Sequence, residues 1–213
     1  MSNKKIDEML ADLNKNKLED YWIRVEETSS NEVINHAQFL YEFVFVKEGV
    51  LHVENKSHQI FNFFSDGDVM NQQIFDISKN KNLNLICDTD VSLVYINREY
   101  FLNFATNNPT YMKWFLDATE MNNKNLYKEL IKYNFSAEER IVYVLQYLCD
   151  KLKVESEEGF QPIPTYMDNE KIANYAGVFI KELYEALSVL IKKNLLEKRH
   201  NVLYVKQEML HSF

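Results

Sequence analysis

The C-terminal part of the chain constrains the fold most, because two stretches with helical periodicity are separated by a single glycine. Residues 170–176 form the first stretch, with Asp168 before it as an expected N-cap. Gly177 follows and supplies the positive φ that a tight turn between two helices requires. Residues 178–193 form the second stretch, with Asn194 as its expected C-cap. Apolar residues recur in both at steps of three and four: Ile172, Ala173, Ala176, Leu183, Ala186, Leu187, Leu190 and Ile191. The pattern predicts two short helices that bury one face each.

A strand pattern follows these helices. Residues 195–198 and 202–205 flank a polar turn at 199–201, which predicts a β-hairpin. Two short helices, a glycine turn and a trailing hairpin are typical of a winged helix-turn-helix, whose second helix commonly enters the major groove of DNA. The alternative is an ordinary helical hairpin in a core, which the strand pattern disfavours. We therefore expect residues 136–213 to form a winged-helix DNA-binding domain.

The N-terminal half has the pattern of a β-rich domain. Residues 3–16 have the periodicity of an amphipathic helix, and from 21 to 96 short apolar segments alternate with turns. One of these turns is Asp66-Gly67-Asp68. Residues 50–53 and 59–64 predict a further hairpin. Many short strands at regular spacing favour a small barrel or jelly roll. The predicted fold class is α+β, with residues 1–108 as the first domain.

Aromatic residues are concentrated in the predicted strands, and they allow two interpretations. They are Phe39, Tyr41, Phe43, Phe45, Phe61, Phe63 and Phe64. Alternating Phe residues are more often packed core than anything else. The alternative is the wall of an apolar effector pocket, whose ligand the sequence does not name.

Helical periodicity returns at Arg98 and continues to about Tyr133, where a heptad-like seam lies along one face. The seam residues are Met112, Leu116, Thr119, Asn123, Leu126, Leu130 and Tyr133. We expect the segment 109–135 to pair with a second copy of the chain, with the Asn fixing the register. The alternative is a helix that lies against its own barrel. Ser136-Ala137-Glu138-Glu139 is a capping box that starts a further helix over 140–153, and a loop is expected over 155–164.

Charge argues against a protein that coats nucleic acid nonspecifically, since the net charge is −8. The charge is unevenly spread, because residues 161–213 carry seven Lys and Arg against six Asp and Glu and are less acidic than the rest. This part of the chain therefore permits DNA contact. No apolar run approaches the length of a membrane span, so we expect a cytoplasmic protein without a membrane partner.

The motifs of enzymes and metal proteins are missing from the sequence. The two cysteines, Cys87 and Cys149, are far apart in apolar contexts, which supports neither zinc nor an iron–sulfur cluster. His52 and His58 flank the predicted hairpin turn but lack the further ligands of a cupin-type metal site. The four glycines form no phosphate-binding loop, and no nucleophile–base pair stands out. We expect no enzyme activity, no metal and no cofactor.

The order of these parts resembles the Crp–Fnr superfamily of bacterial transcription regulators. Three motifs support the resemblance: Asp66-Gly67-Asp68, Ser136-Ala137-Glu138-Glu139-Arg140, and Ile172-Ala173 with Gly177-Val178. The resemblance implies a cyclic-nucleotide-binding-like sensor domain over 1–108, a homodimer, a two-fold-symmetric promoter site and contact with RNA polymerase.

The sequence departs from the family's cyclic-nucleotide signature. Members that bind cyclic nucleotides carry Gly-Glu after the Gly-Asp turn and an Arg-Ser or Arg-Thr pair later. Here the first stretch reads Val69-Met70-Asn71-Gln72-Gln73, and the later pair aligns near Lys81-Asn82. A cyclic phosphate would lack its Arg partner. We therefore expect no useful binding of cyclic AMP.

The residues expected to contact DNA lie on the second helix, at the start of the first helix and on the hairpin. They are Asn169, Phe179, Ile180, Lys181, Tyr184, Glu185, Lys198, Arg199 and His200. Lys181, Tyr184 and Glu185 are suited to base edges or phosphates, and the hairpin residues to the phosphate backbone. Because these residues differ from the usual Ser-Arg-Glu-Thr-Val-x-Arg pattern, a second hypothesis is a degenerate sensor or adaptor that acts through protein contacts.

Overall fold

The computed structural model describes residues 3–34, 41–70, 83–152, 154–156 and 158–208. The predicted positions Phe39, Asn71, Gln72, Gln73, Lys81 and Asn82 lie outside these residues. The chain divides into two compact units: Met1–Ser57 with Asn62–Tyr127, and His58–Phe61 with Lys128–Phe213. The predicted domain bounds at 108 and 135 stay a prediction. None of the helices described is long and apolar enough to cross a membrane.

The described part of the first unit contains two antiparallel sheets, the helices before and after them, and most of the helix that begins at Pro109. Its elements are α1 (Asn3–Asn16), β1 (Ile23–Thr28), β2 (Glu42–Glu48), β3 (Leu51–Asn55), β4 (Ile60–Phe64), β5 (Val69–Met70), β6 (Leu83–Cys87), β7 (Val91–Asn97) and α2 (Arg98–Thr106). The strand orders are β1-β7-β2-β5 and β4-β3-β6. The tight turn at 65–68 is confirmed, since the amide of Asp68 donates to the carbonyl of Ser65 at 2.9 Å and Gly67 has φ 85°.

The aromatic side chains of the strands lie mostly in the core of the first unit. Phe43, Phe45, Phe63 and Phe64 are buried, whereas Tyr41 is 73% exposed and Phe61 37%. The rings of Phe43 and Phe101 lie 5.4 Å apart, edge to face, and the α1 residues Ile6, Met9, Leu10 and Leu13 complete the same cluster. Burial of these apolar side chains is the main stabilising term for such a unit. The predicted amphipathic face of α1 is confirmed.

The segment of helical periodicity from 98 to 133 contains more than one helix. It is divided into α2 and α3 (Pro109–Lys132), with Asn107 and Asn108 between them. Pro109 lacks an amide proton and restricts Asn108, so it starts a new helix more readily than it continues one. The following α4 (Ala137–Leu152) starts at the predicted capping box, where the Ser136 amide donates to Glu139 at 2.8 Å.

The second unit ends in a helix pair and a three-stranded sheet. Its further elements are β8 (Phe160–Pro162), α5 (Asn169–Ala176), α6 (Ile180–Lys192), β9 (Leu196–Arg199) and β10 (Val202–Lys206), with the strand order β8-β10-β9. The expected loop over 155–164 is therefore wrong in part, because β8 pairs with β10 through Gln161 and Val205. A strand of three residues is too short for its periodicity to be recognised in the sequence. Pairing with β10, which is distant in the chain, determines that β8 forms.

Candidate nucleic-acid interface

The turn between α5 and α6 has the geometry that its sequence predicts. The Asp168 side chain caps α5 by accepting a hydrogen bond from the Lys171 amide at 2.8 Å. Gly177 ends α5 at φ 64° and ψ 43°, in the left-handed region. The amide of Val178 then donates to the carbonyl of Ala173 at 3.1 Å. Because a side chain at Gly177 would be strained, the glycine fixes the angle at which the chain enters α6.

One face of α6 is buried, as predicted. Leu183, Ala186, Leu187 and Leu190 are at most 6% exposed. Ile191 is an exception, at 40% exposed, so its predicted place on the buried face is wrong. It lies on the edge of the apolar stripe, where packing covers it only in part. The helix also begins at Ile180 rather than 178, since Phe179 is the extended N-cap residue. Asn194 follows the actual C-cap, Lys193, and has φ 55°.

The opposite face of α6 is exposed and carries mixed chemistry. Lys181 and Glu185 lie one turn apart with their charged atoms at 3.8 Å. Tyr184 is 54% exposed and Phe179 81%. Ile180 is 39% exposed. An ammonium, a carboxylate and a phenol side by side can bond phosphates and base edges, and exposed apolar groups can contact a thymine methyl group.

A cleft of about 320 Å³ brings residues from α5, α6, β9 and β10 together. Asn169 of α5, Tyr184 of α6 and Lys198 of β9 all line it. Ser188 and Lys192, two residues that the sequence reasoning missed, line it as well. Both follow Tyr184 at helical spacing, which is the signal that could have found them.

The hairpin turn between β9 and β10 is confirmed, with φ 48° at His200 and 66° at Asn201. Two successive residues of positive φ are the mark of a type I′ turn. Lys198 and His200 are exposed. Arg199 is engaged within the chain, since its Nε donates to Glu197 at 2.8 Å and its Nη1 lies 3.8 Å from Glu158. The hydrogen bond to Glu197 raises the pKa of the Arg199 guanidinium, so the group stays protonated, and the Glu197 carboxylate offsets part of its positive charge.

A buried polar cluster, which the sequence reasoning missed, lies behind the helix pair. The Lys132 ammonium donates to Glu129 at 2.5 Å and to the Tyr175 carbonyl at 2.7 Å. The Tyr175 hydroxyl donates to the other oxygen of Glu129. Burial raises the pKa of Glu129 and lowers that of Lys132. Buried charges persist only when paired and hydrogen-bonded, so the cluster fixes α5 to the end of α3.

The predicted seam of α3 contains residues in different environments. Leu116 and Leu130 are 58% and 69% exposed, and Leu126 is 39% exposed. Tyr127, which the heptad pattern missed, is 69% exposed beside them. Met112 packs against the core of its own unit. One side of the N-terminal half of α3 thus lies on the core of its unit, while Leu116, Leu126 and Leu130 are exposed.

The remaining seam residues also have contacts within the chain. The hydroxyl of Thr119 donates to the Phe115 carbonyl at 2.9 Å. The Tyr133 hydroxyl accepts a hydrogen bond from Gln59 at 2.8 Å. Asn123 is exposed. Whether these seven positions form an interface stays a prediction.

His52 lies between two carboxylates. Its Nδ1 is 2.8 Å from Asp88 and its Nε2 is 3.6 Å from Glu54, and all three side chains are buried. Within the described ranges, no group of three or more His, Cys, Asp or Glu side chains is arranged so that it could hold a metal ion. The ring therefore serves as a satisfied core group that joins β3 to the turn after β6.

Comparison with known proteins finds similarity in structure but no match to a family model or to a curated sequence. No protein-family model matches the sequence, and a search among curated proteins finds no match. A cyclic nucleotide-binding domain-containing protein from Listeria monocytogenes EGD-e is similar in structure, with a TM-score of 0.84 and 18% identity over 97% of this chain and 99% of that one. FixK2 from Bradyrhizobium japonicum has a TM-score of 0.69 and 17% identity, over 89% and 96%.

A third similar structure is that of a transcriptional regulator. TTHA1359 from Thermus thermophilus, a transcriptional regulator of the CRP/FNR family, has a TM-score of 0.66 and 12% identity, over 89% of this chain and 99% of that one. The chain therefore has the fold of the Crp–Fnr regulators, and the resemblance predicted from its sequence is confirmed at the level of fold.

Proposed function

We propose that the protein is a DNA-binding transcription regulator that acts as a homodimer on a two-fold-symmetric promoter site. The observation that carries the proposal is the exposed face of α6, held by a capped helix and a left-handed glycine. Helix-turn-helix proteins present their second helix in this way to the major groove. The fold shared with transcription regulators supports the same conclusion. The α5–α6 pair and the β9–β10 hairpin then act as a winged helix-turn-helix.

The two parts of the surface have different roles in this proposal. Tyr184 and Glu185 read base edges, with Glu185 accepting a hydrogen bond from a cytosine amino group. Lys181 and Lys198 contact phosphates, and these contacts fix the register without reading sequence. Asn169, Phe179, Ile180, Arg199 and His200 complete the interface.

The first unit serves as a sensor of jelly-roll type that does not respond to cyclic AMP, and it reports to RNA polymerase through the DNA-bound dimer. Support comes from the sequence after Gly67, which lacks the carboxylate and the Arg that a cyclic nucleotide requires. Phe43 and Phe45 belong to one buried apolar cluster, and Phe63 is buried as well, which favours a packed core.

The experiment is the selection of bound duplexes from a random-sequence pool, followed by titration of the selected site. Tyr184→Ala or Glu185→Ala should change the preferred bases, with about 1–3 kcal/mol lost at the affected pair. Lys198→Ala should weaken binding to all sequences and flatten its salt dependence by about one phosphate contact. Lys113→Ala removes the same charge from a surface outside the interface and should leave binding unchanged. Failure to select any sequence would overturn the proposal.

A second candidate function is an adaptor of the same architecture that binds protein. The exposed apolar side chains of Phe179, Ile180 and Tyr184 favour it, because such groups are typical anchors of protein interfaces. A gel-shift series over genomic fragments distinguishes the two functions. Absence of any shifted fragment would favour the adaptor.

A further inference from the structure

The end of α3 and Tyr133, which follows it, contact the turn between α5 and α6. We propose that Glu129, Lys132 and Tyr133 are positioning residues for the DNA-reading helix, because they contact Tyr175 and Gly177 at the end of α5. The inference rests on the proposed function and deepens it. All of these residues, with the segment His58–Phe61, belong to the second unit.

Lys132 acts as a buried C-terminal cap of α5. Its ammonium donates to the carbonyl of Tyr175, which is the residue before the last of that helix. Carbonyls in the last turn of a helix have no partner within the helix, and a cation there also complements the helix dipole. The same ammonium lies 3.8 Å from the centre of the Tyr175 ring. Lys132 therefore holds both the backbone and the ring of Tyr175.

Glu129 completes this arrangement from the turn before. One of its oxygens accepts from Lys132 and the other from the Tyr175 hydroxyl. Removal of Lys132 would leave the buried Glu129 carboxylate uncompensated, which is strongly unfavourable. A small displacement of α5 would stretch these bonds together. The cluster thus restricts α5 to one position against α3.

Tyr133 contacts the turn at Gly177. A Cβ atom built on Gly177 would lie 3.3 Å from the Cε1 of Tyr133, so the tyrosine ring covers the glycine. The Tyr133 hydroxyl accepts from the Gln59 side chain, which restricts the ring further. Because Gly177 sets the entry angle of α6, a ring packed against it limits where the reading helix points.

The same turn of α3 has an exposed side as well. Leu130 and Ile131 are 69% and 50% exposed, while Lys132 is fully buried. A partner chain that covers Leu130 would order the turn that holds Tyr175 and Gly177. Binding of two half-sites requires a fixed spacing between two reading helices. The exposed Leu130 and the buried Lys132 therefore lie on different sides of one helix turn.

The first test measures amide hydrogen exchange in the full chain. Lys132→Met should speed exchange at residues 176–180 by about tenfold, as expected when a local contact is lost. Lys124→Met is the matched control, since Lys124 forms an exposed pair with Glu120 on the same helix at 2.6 Å. It should leave exchange at residues 176–180 unchanged. Equal exchange in wild type and Lys132→Met would overturn the proposal.

The second test separates positioning from general stability by DNA discrimination. Lys132→Met should lower affinity for the selected site by about tenfold while affinity for random duplex stays within about twofold, since phosphate contacts alone carry nonspecific binding. An equal loss for both duplexes would overturn the positioning role.

Tyr133 variants decide the matter if Lys132→Met fails to fold. Tyr133→Phe keeps the ring against Gly177 and should keep discrimination. Tyr133→Ala should lose it and speed exchange at Gly177 and Val178. Unchanged exchange in Tyr133→Ala would overturn the proposal. If the wild type binds no DNA, the proposed function fails, and exchange alone then supports or overturns the positioning of the turn.

Discussion

At the scale of single residues, this protein buries several groups that could otherwise react or titrate. Cys87 is fully buried among strands and Cys149 is 2% exposed within α4. Burial raises the pKa of the Cys87 thiol to about 11 and that of the Cys149 thiol to about 12. The thiolate is the reactive form of cysteine. These residues therefore serve as small apolar core groups.

Native protein should accordingly resist thiol reagents at pH 8. Labelling of Cys87 and Cys149 should proceed no faster than unfolding, because the thiol is both inaccessible and protonated. The measurement is the rate of colour release by a chromogenic disulfide, with urea-unfolded protein as control for full labelling. Rapid labelling of either cysteine in the folded chain would contradict the prediction.

Tyr143 is a second case, since its buried hydroxyl forms no hydrogen bond within the described part of the chain. Burial raises the pKa of this phenol to about 12. Tyr143→Phe removes an unsatisfied polar group, and we expect it to raise the free energy of unfolding by about 1 kcal/mol at pH 8. Urea unfolding measures this change. Tyr147→Phe, on the same helix, serves for comparison.

The raised pKa also predicts a pH dependence. The unfolded chain releases the phenolic proton near its ordinary pKa of about 10, before the folded chain does. The stability linked to Tyr143 is therefore present below about pH 10 and is lost as pH rises toward 12. Tyr143→Phe should flatten the loss of stability in this range. An unchanged alkaline slope would show that Tyr143 does not contribute to it.

At the scale of elements, the β9–β10 hairpin carries basic residues that are adjacent in sequence but have different surroundings in the structure. The sequence places Lys198, Arg199 and His200 at one tip, which predicts a uniformly basic wing. In the structure Arg199 is held by Glu197, its ring neighbours are Phe160 and Tyr204, and Lys198 lines the cleft beside α6. Arg199 is therefore less available than Lys198 to bind a phosphate.

We expect Lys198→Ala to flatten the salt dependence of DNA binding more than Arg199→Ala does. Each phosphate contact contributes about one unit to the logarithmic salt slope, and Arg199 is already paired. Glu197→Gln should release Arg199 and strengthen binding at low salt. Titrations at several salt concentrations check both effects. Equal salt slopes for the two alanine variants would contradict this expected difference between Lys198 and Arg199.

At the scale of the whole molecule, the open stripe of α3 is the feature that a monomer does not explain. Leu116, Leu126, Tyr127 and Leu130 are exposed together on one side of the helix. Contiguous apolar surface of this kind usually marks an interaction site. The proposed partner is a second copy, because the seam has the spacing of a self-pairing helix.

Replacement of Leu126 and Leu130 by Asp should produce monomers in sedimentation at micromolar concentration, since buried unpaired carboxylates oppose the interface. Met121→Asp is the matched control, because Met121 is 55% exposed on the same helix but outside the stripe. It should remain dimeric. A wild-type chain that sediments as a monomer would contradict the dimer.

Local sequence is sufficient to predict the features that depend on neighbouring residues. The Asp168 cap, the Gly177 turn, the buried face of α6 and the capping box at Ser136 all follow from residue types at short spacing. Such features need only a few residues to specify them, because the hydrogen bonds and apolar stripes involved span a turn or two.

Features that depend on groups far apart in the chain are established only by tertiary packing. Lys132 has no pattern around it that predicts a buried site, and it becomes the cap of α5 only because Glu129 and the Tyr175 carbonyl reach it. Likewise β8 exists through its pairing with β10, and Arg199 is neutralised by Glu197 and Glu158. For Lys132 and β8 the physical reason is desolvation: a buried charge or strand edge is stable only with its partner present, and packing supplies that partner. Arg199 instead forms partly exposed ion pairs, and folding brings Glu158 near it.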